Sequence, residues 1–270
     1  AEVGRRWGVA FWPLMFQRDN VGDSVAGRAA DVVKTPRTEM GRKWYSDGNR
    51  WQDRWVVQTL NSTRNGYFVD LAANHPLKLS NTYALEKRFG WSGLCIDGNP
   101  SFQVLYRDIR TCVPVLAIVD GKENQTVEFR TDNDGLGGII DDDVDNNEQI
   151  RGREIARSRR MGGTYIGTTI TLLQILRDYQ TPLVIDYLSL DVEGSEERVL
   201  TSAVLREYTF RTMTIERPSP RLNDRLRYHG YVYVKSLPVK NPTESYYVHS
   251  SVVNPSIQFE NFVQVPKKTF

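Results

Sequence analysis

Acidic side chains close several apolar runs of this chain, and that placement carries chemistry. Asp70 lies in Gly66-Tyr67-Phe68-Val69-Asp70-Leu71-Ala72-Ala73-Asn74, Asp97 ends Gly93-Leu94-Cys95-Ile96-Asp97, and Asp191-Val192-Glu193-Gly194-Ser195-Glu196 follows the run Ile185 to Leu190. Glu216 closes Phe210 to Glu216, and His249 lies in the last such run, Ser245 to Val253. A carboxylate at Asp97 suits ribose hydroxyls. Asp191, Glu193, Glu216 and His249 are the groups able to take a proton from a hydroxyl while two reactants are held in line. Asp191 also suits a cofactor amino group or a divalent cation, and its bland alternative is a cap on the following helix.

Elements of alternating type must bring these residues together. Asn81 to Phe89 and Pro100 to Asp108 read as helices between apolar strands, and strand, helix, strand, helix implies a parallel sheet. Val113 to Val119 is the third strand, Ile185 to Leu190 the fourth, Phe210 to Glu216 the fifth, and Tyr231 to Leu237 and Ser245 to Val253 two more. Helices are expected over Arg50 to Leu60, Thr171 to Tyr179, Ser195 to Leu200 and Leu222 to Tyr228. In an open α/β sheet, ligands bind at the carboxyl ends of the strands. The first turn reads Ala72-Ala73-Asn74, with no G-x-G-x-x-G to let a pyrophosphate approach the backbone. S-adenosylmethionine, which has no phosphates, fits it better than a dinucleotide.

The segments around Asp70, Asp97 and Asp186 to Glu196, with Leu79-Ser80-Asn81-Thr82, Leu85-Glu86, Gly90-Trp91-Ser92, Asn99-Pro100, Leu136-Gly137-Gly138-Ile139, Thr214-Ile215-Glu216-Arg217-Pro218 and Tyr247-Val248-His249, resemble the FkbM-type family of S-adenosylmethionine-dependent methyltransferases. The likeness is to the branch common in algae and other protists, and runs from about Trp51 to about His249. It implies a Rossmann-like class I methyltransferase of the α/β class: a mostly parallel seven-stranded sheet with an antiparallel edge strand and helices on both faces. It also implies S-adenosylmethionine as cofactor, with Gln52, Asp70, Ala72, Asn74, Ser80, Asn81, Asp97, Asn99 and Asp191 toward it, and a hydroxyl of a sugar, glycan or polyol-like metabolite as acceptor. Three positions depart from the family: His75-Pro76 replaces a small or acidic residue, Asp97 replaces Glu, and Gly98 replaces Pro. The His75 imidazole would crowd the cofactor turn, add a donor to it, or point to solvent.

With 270 residues, 40% hydrophobic and 25% charged, the chain supports one well-buried α/β domain. Residues 1–50, Arg-rich with Trp7, Phe11, Trp12 and Phe16, are expected as an arm packed on it. Residues 51–270 form the methyltransferase-like domain, with a long irregular insert at about 131–160. Gln52 and Asp53 sit on the helix before the first strand, as a lid over the cofactor or simply as its caps. A net charge of +2 does not indicate nucleic acid, despite the basic run Arg151 to Arg160. Asp141 to Asn147 lacks the glycine and terminal Glu of a calcium loop and reads as a solvated, mobile charge run, so no metal ligands are assigned. A divalent metal at Asp191 stays open.

Cys95 and Cys112 make no disulfide framework and read as buried thiols, which leaves the redox compartment open. No apolar run is long enough to span a membrane. The chain begins at Ala1, from which removal of an upstream segment is expected. Asn61-Ser62-Thr63 and Asn124-Gln125-Thr126 match the N-glycosylation pattern, and Asn241-Pro242-Thr243 is barred by its proline. The location is therefore cytoplasmic, or the secretory pathway (Golgi lumen) if a leader or anchor once preceded Ala1. Glu193 or Glu216 is the expected base and Asp191 the cofactor or metal ligand, while His249 is equally well a structural histidine. The rival functions are a catalytically silent binding module, its donor site blocked by His75-Pro76, and another nucleotide-dependent enzyme such as a dehydrogenase, against which the missing glycine fingerprint counts. Oligomeric state is not legible.

Overall fold

The computed structural model describes residues 38–39, 42–46, 50–132, 135–241 and 243–252. Most of the arm expected over residues 1–50 thus lies outside the described residues. Of its described part, Trp44 packs against the core and Arg50 reaches the candidate site.

Strands β1 (Thr38–Glu39) and β2 (Arg42–Lys43) form a short antiparallel ribbon. Helix α1 (Gln52–Thr59) then leads into β3 (Tyr67–Leu71), followed by α2 (Tyr83–Phe89), β4 (Ser92–Asp97), α3 (Pro100–Ile109) and β5 (Val113–Leu116). Next come β6 (Ile118–Val119), β7 (Thr126–Arg130), β8 (Gly138–Ile139), α4 (Glu148–Arg160), β9 (Thr164–Ile170) and α5 (Leu172–Asp178). The chain continues through β10 (Val184–Leu190), α6 (Glu196–Val199), α7 (Ser202–Glu207), β11 (Thr209–Glu216), α8 (Pro220–Tyr228), β12 (Tyr231–Leu237) and β13 (Glu244–His249).

Seven strands form the main sheet in the order β12-β13-β11-β10-β3-β4-β5. β11, β10, β3, β4 and β5 run parallel, and β13 lies antiparallel to both β11 and β12 at one side of the sheet. Alternation along β3 sends Phe68 to one face and Val69 and Leu71 to the other, the period-two consequence of the pleat. One face buries Leu94, Ile96, Leu188, Leu190, Met213 and Ile215 with residues of α5, α7 and α8. The other buries Phe68, Tyr187 and Tyr246 with Trp55 and Val56 of α1 and Leu85 and Phe89 of α2. Among the described residues no helix is long and apolar enough to cross a membrane.

Three expectations change. The third strand breaks at Ala117, whose N–H turns to the Asp97 carbonyl (3.1 Å), so that β6 leaves the main sheet and pairs with β9. A second sheet, β6-β9-β7-β8, results, and its strand β9 was not foreseen. The insert at 131–160 is not structureless, since it holds β8 and the thirteen-residue helix α4, capped by the Asn147 side chain on the Gln149 N–H and kinked at Arg151. Asp141 to Asn147 is not a free charge run either. Asn146 and Asn147 are buried, Asp141 pairs with Arg198, and Asp145 pairs with Arg217.

Candidate active site

The turn after β3 and the end of β4 build one cavity. Ala72 (φ 61°) and Asn74 (φ 52°) both take the left-handed conformation, which reverses the chain without glycine. Asp97 holds this turn. Its Oδ2 accepts the Asn74 N–H at 2.8 Å and its Oδ1 the Asn99 N–H at 2.7 Å, which leaves a further lone pair on each oxygen. Burial first of all pushes the Asp97 carboxyl up to about 6, against the lowering by those two bonds. Asn99 caps α3 through the Ser101 N–H and donates to the Thr131 carbonyl, tying the insert to the cavity. Phe102, Ala117, Val119, Phe129 and Ile139 give the same cavity an apolar wall. A Cβ on Gly98 would lie 2.5 Å from the Phe129 ring, so glycine admits that ring here, and a proline at this position would not. A Cβ on Gly137 would lie 2.8 Å from the Arg130 carbonyl, so that wall also requires glycine.

Behind the turn a buried polar chain fixes its position. The side chain of Arg110 is fully enclosed; it pairs with Glu86 at 2.9 Å, donates to Thr82 Oγ1 at 2.8 Å, and Thr82 Oγ1 donates to Asp70 Oδ2 at 2.6 Å. Burial raises the Asp70 carboxyl, against the lowering by Thr82 and Arg110. Ser80 belongs to this support: its Oγ accepts from the Thr82 and Tyr83 N–H groups and from Arg110, and it lines neither cavity. The resemblance supplied Leu85-Glu86, but the buried partner Arg110 was missed, because nothing local marks an arginine 24 residues away as its counter-ion.

A second cavity, about 250 Å³, adjoins the first and shares Ala72, Asn74, Gly135 and Asp191 with it. Arg50, Gln52, Lys78, Asn81, Glu193 and Glu216 give it a strongly polar lining. The Asn81 amide donates to Ser189 Oγ at 2.9 Å, and Gln52 bonds to Glu244 while its Oε1 is buried with no partner among the described residues. Parallel strands β10 and β11 bring Asp191, Glu193 and Glu216 to this edge, and the reversed β13 brings Glu244, which stands opposite Glu216 in register. Arg217 Nη2 bridges Glu216 (2.6 Å), Glu193 (3.2 Å) and Asp145, and Arg50 lies 3.7 Å from Glu216 and 3.9 Å from Glu244.

Five carboxyl groups therefore face two guanidinium groups. Burial, then Glu216, pushes the Glu193 carboxyl up to about 8, and burial pushes Glu244 up to about 8 as well. Asp191 is raised well above the carboxylate range by burial and by Glu216, Glu244 and Glu193, and its Oδ1 is buried with no hydrogen-bond partner among the described residues. Asp145, Glu193 and Glu216 place ligand atoms within 4.8 Å of one another, with Arg217 bridging them. Glu196, raised to about 7 by burial, instead accepts from the Val192 and Gly194 N–H groups and shapes the turn.

Several expected site residues stand elsewhere. His249 is not in the crevice: β13 enters the sheet at Glu244 beside Glu216 and leaves at the opposite edge, where His249 pairs with Tyr231 in register and its ring packs on Tyr231. Asp53 holds Ser46 and the Tyr45 N–H rather than the cavity. His75 neither crowds the cofactor turn nor donates to it. Its Nδ1 accepts from the Leu77 and Lys78 N–H groups at 3.1 and 3.0 Å, and it lines neither cavity, so the obstruction behind the silent-module reading is absent. Cys95 and Cys112 are not free thiols but a disulfide between β4 and the residue before β5, with Cα atoms 6.0 Å apart. Of the missed residues, Arg50 and Glu244 carry no local motif and Asp145 lies in the acidic run read as solvated; all three converge only through the fold, while Arg217 had been met only as a neighbour of Glu216.

The sheet order, the single reversed strand and a two-part cavity at the carboxyl edge define a Rossmann-like class I methyltransferase fold. The Methyltransferase FkbM domain family matches residues 70–233, and the chain belongs to that family of S-adenosylmethionine-dependent methyltransferases. No curated protein matches it. Among solved structures it is similar to the precorrin-6y C5,15-methyltransferase of Geobacter metallireducens GS-15, with 11% identity, a TM-score of 0.37, and coverage of 73% of this chain and 85% of that one.

The residues present fit the cofactor. The orphaned Asp191 Oδ1 and the surplus of carboxyl groups over guanidinium groups suit a ligand carrying an ammonium and a sulfonium, and the free lone pairs of Asp97 suit ribose hydroxyls. Phe102, Val119 and Phe129 would flank the adenine.

Proposed function

We propose that the protein is an O-methyltransferase that methylates a hydroxyl of a sugar, glycan or polyol-like acceptor held in the second cavity. The observation that carries this reading is the meeting of the two cavities at Ala72, Asn74 and Asp191, with Glu193 and Glu216 lining the second cavity and not the first. S-adenosylmethionine, when bound, supplies an electrophilic methyl group. The protein must then align the acceptor oxygen and accept its proton. A lining of amides, carboxyl groups, Arg50 and Lys78 offers donors and acceptors at many angles, as a hydroxyl-rich molecule requires.

Glu193 is the proposed base. Its raised carboxyl is a stronger acceptor than an exposed glutamate once ionised, and among the described residues it pairs with Arg217 alone, whereas Glu216 is shared between Arg217 and Arg50. Asp191 is assigned to the cofactor's amino group, whose positive charge would release the proton that burial keeps on it. The test is calorimetric titration with S-adenosylmethionine and its demethylated product, followed by an acceptor screen of monosaccharides, glycans and polyols. Saturable donor binding with methyl transfer to a hydroxyl supports the reading. Transfer to nitrogen or carbon acceptors alone refutes it.

A further inference from the structure

Asn61 and Asn124 stand exposed at tight turns, Asn61 (φ 49°) after α1 and Asn124 (φ 59°) before β7. Each takes the left-handed conformation that asparagine tolerates better than most residues. Each is followed two positions later by threonine with no intervening proline. Neither lines the two cavities of the candidate site, so a large substituent on either leaves the crevice open.

A separate observation bears on the compartment. Cys95 and Cys112 are joined, and both are buried. Reducing pools of the cytosol keep such pairs as thiols, whereas the lumen of the secretory pathway forms and preserves the bond. Oligosaccharides are transferred to asparagine in that same oxidising lumen.

We infer that Asn61 and Asn124 are N-glycosylation sites and that the chain folds and works in the secretory lumen. In the transfer, the asparagine Nδ2 forms a bond to the anomeric carbon of an oligosaccharide carried on a lipid diphosphate. The bond from that carbon to the phosphate oxygen breaks, the amide gives up one proton, and the lipid diphosphate departs with the bonding electron pair. The inference does not depend on which acceptor the crevice methylates.

The test uses the protein isolated from its own cells, digested without reduction and treated with peptide N-glycosidase in ¹⁸O water. The expected result is labelled aspartate at positions 61 and 124 together with a cross-linked Cys95–Cys112 peptide pair. Unlabelled asparagine at both positions overturns the inference, and so do Cys95 and Cys112 recovered as alkylated free thiols. A label at one position alone supports that site and strikes out the other. Asn61→Asp and Asn124→Asp, which keep the left-handed turns, should each remove one step of the gel shift abolished by the glycosidase and leave donor affinity unchanged.

Discussion

Replacing Arg217 by methionine should move the pH limb of methyl transfer upward by about one unit, because Arg217 is the cation that opposes the burial and acidic neighbours raising Glu193. The guanidinium nitrogen lies 3.2 Å from Glu193 Oε2; the Arg217 side chain is 44% exposed and that of Glu193 only 7%, so a solvent-like dielectric sets the smallest shift to expect. Coulomb's law at that dielectric gives about 1.3 kcal/mol, or roughly one pH unit. With the parent limb near 8, the ionised fraction of Glu193 at pH 7 would fall about tenfold, and the two profiles would converge only above roughly pH 9. Glu216→Gln removes a raising charge and should shift the limb the other way. The assay is kcat/KM for the acceptor at saturating donor across pH 6–10, reading the demethylated product, with donor affinity followed calorimetrically. Glu193→Gln should cut turnover by about 10²- to 10⁴-fold at little cost in donor affinity. An unmoved limb in Arg217→Met, together with undiminished turnover in Glu193→Gln, would refute the assignment of the base.

Asp97→Ala should weaken S-adenosylmethionine binding by about 1.5–3 kcal/mol, roughly 10- to 160-fold, through loss of a charge-assisted acceptor; equal calorimetric affinities would remove Asp97 from the ribose site. Asp97, Glu193, Glu196 and Glu244 all hold their protons more tightly folded than unfolded. The resulting stability is present in full below the ordinary carboxylate range and is lost as pH rises through about 6, 7 and 8, so the melting temperature of the ligand-free protein should fall between pH 5 and 8.5. Glu244→Gln should flatten that slope, and a melting temperature that climbs with pH would contradict the sign. Cys95→Ala with Cys112→Ala opens a loop of 17 residues' separation and should cost about 3 kcal/mol in chemical denaturation, with donor affinity nearly preserved. Arg110→Met removes the enclosed cation from Glu86, which keeps only Lys87 (2.8 Å) and the Thr111 and Cys112 N–H groups, and should destabilise the fold by about 3 kcal/mol, read from the same denaturation curves.

Short-range signals made the first half of the site legible. An apolar strand, a carboxylate at its end and a helix after the turn are consecutive in the chain, so Asp70 and Asp97 could be placed toward the strand ends and Asn99 before the following helix from the sequence alone. Asp191, Glu193 and Glu216 followed from the rule that parallel strands deliver their carboxyl ends to one edge. That rule misleads for a reversed strand: β13 meets the edge at its beginning, which puts Glu244 opposite Glu216 and sends His249 to the far side. The glycine-rich and acidic insert looked solvated because its partners, Arg198 and Arg217, lie some 57 and 72 residues further along the chain. Cys95 and Cys112 show the same limit, since the bond depends on the pairing of β4 with β5, where Leu94 stands opposite Val113, and not on cysteine count. Local pattern thus determined the sheet and the cofactor turn, because strand propensity and turn chemistry act over a few residues. Strand polarity, counter-ion choice and pairing register are set by long-range packing, and only the tertiary structure decided which carboxyl groups share the crevice and which cations answer them.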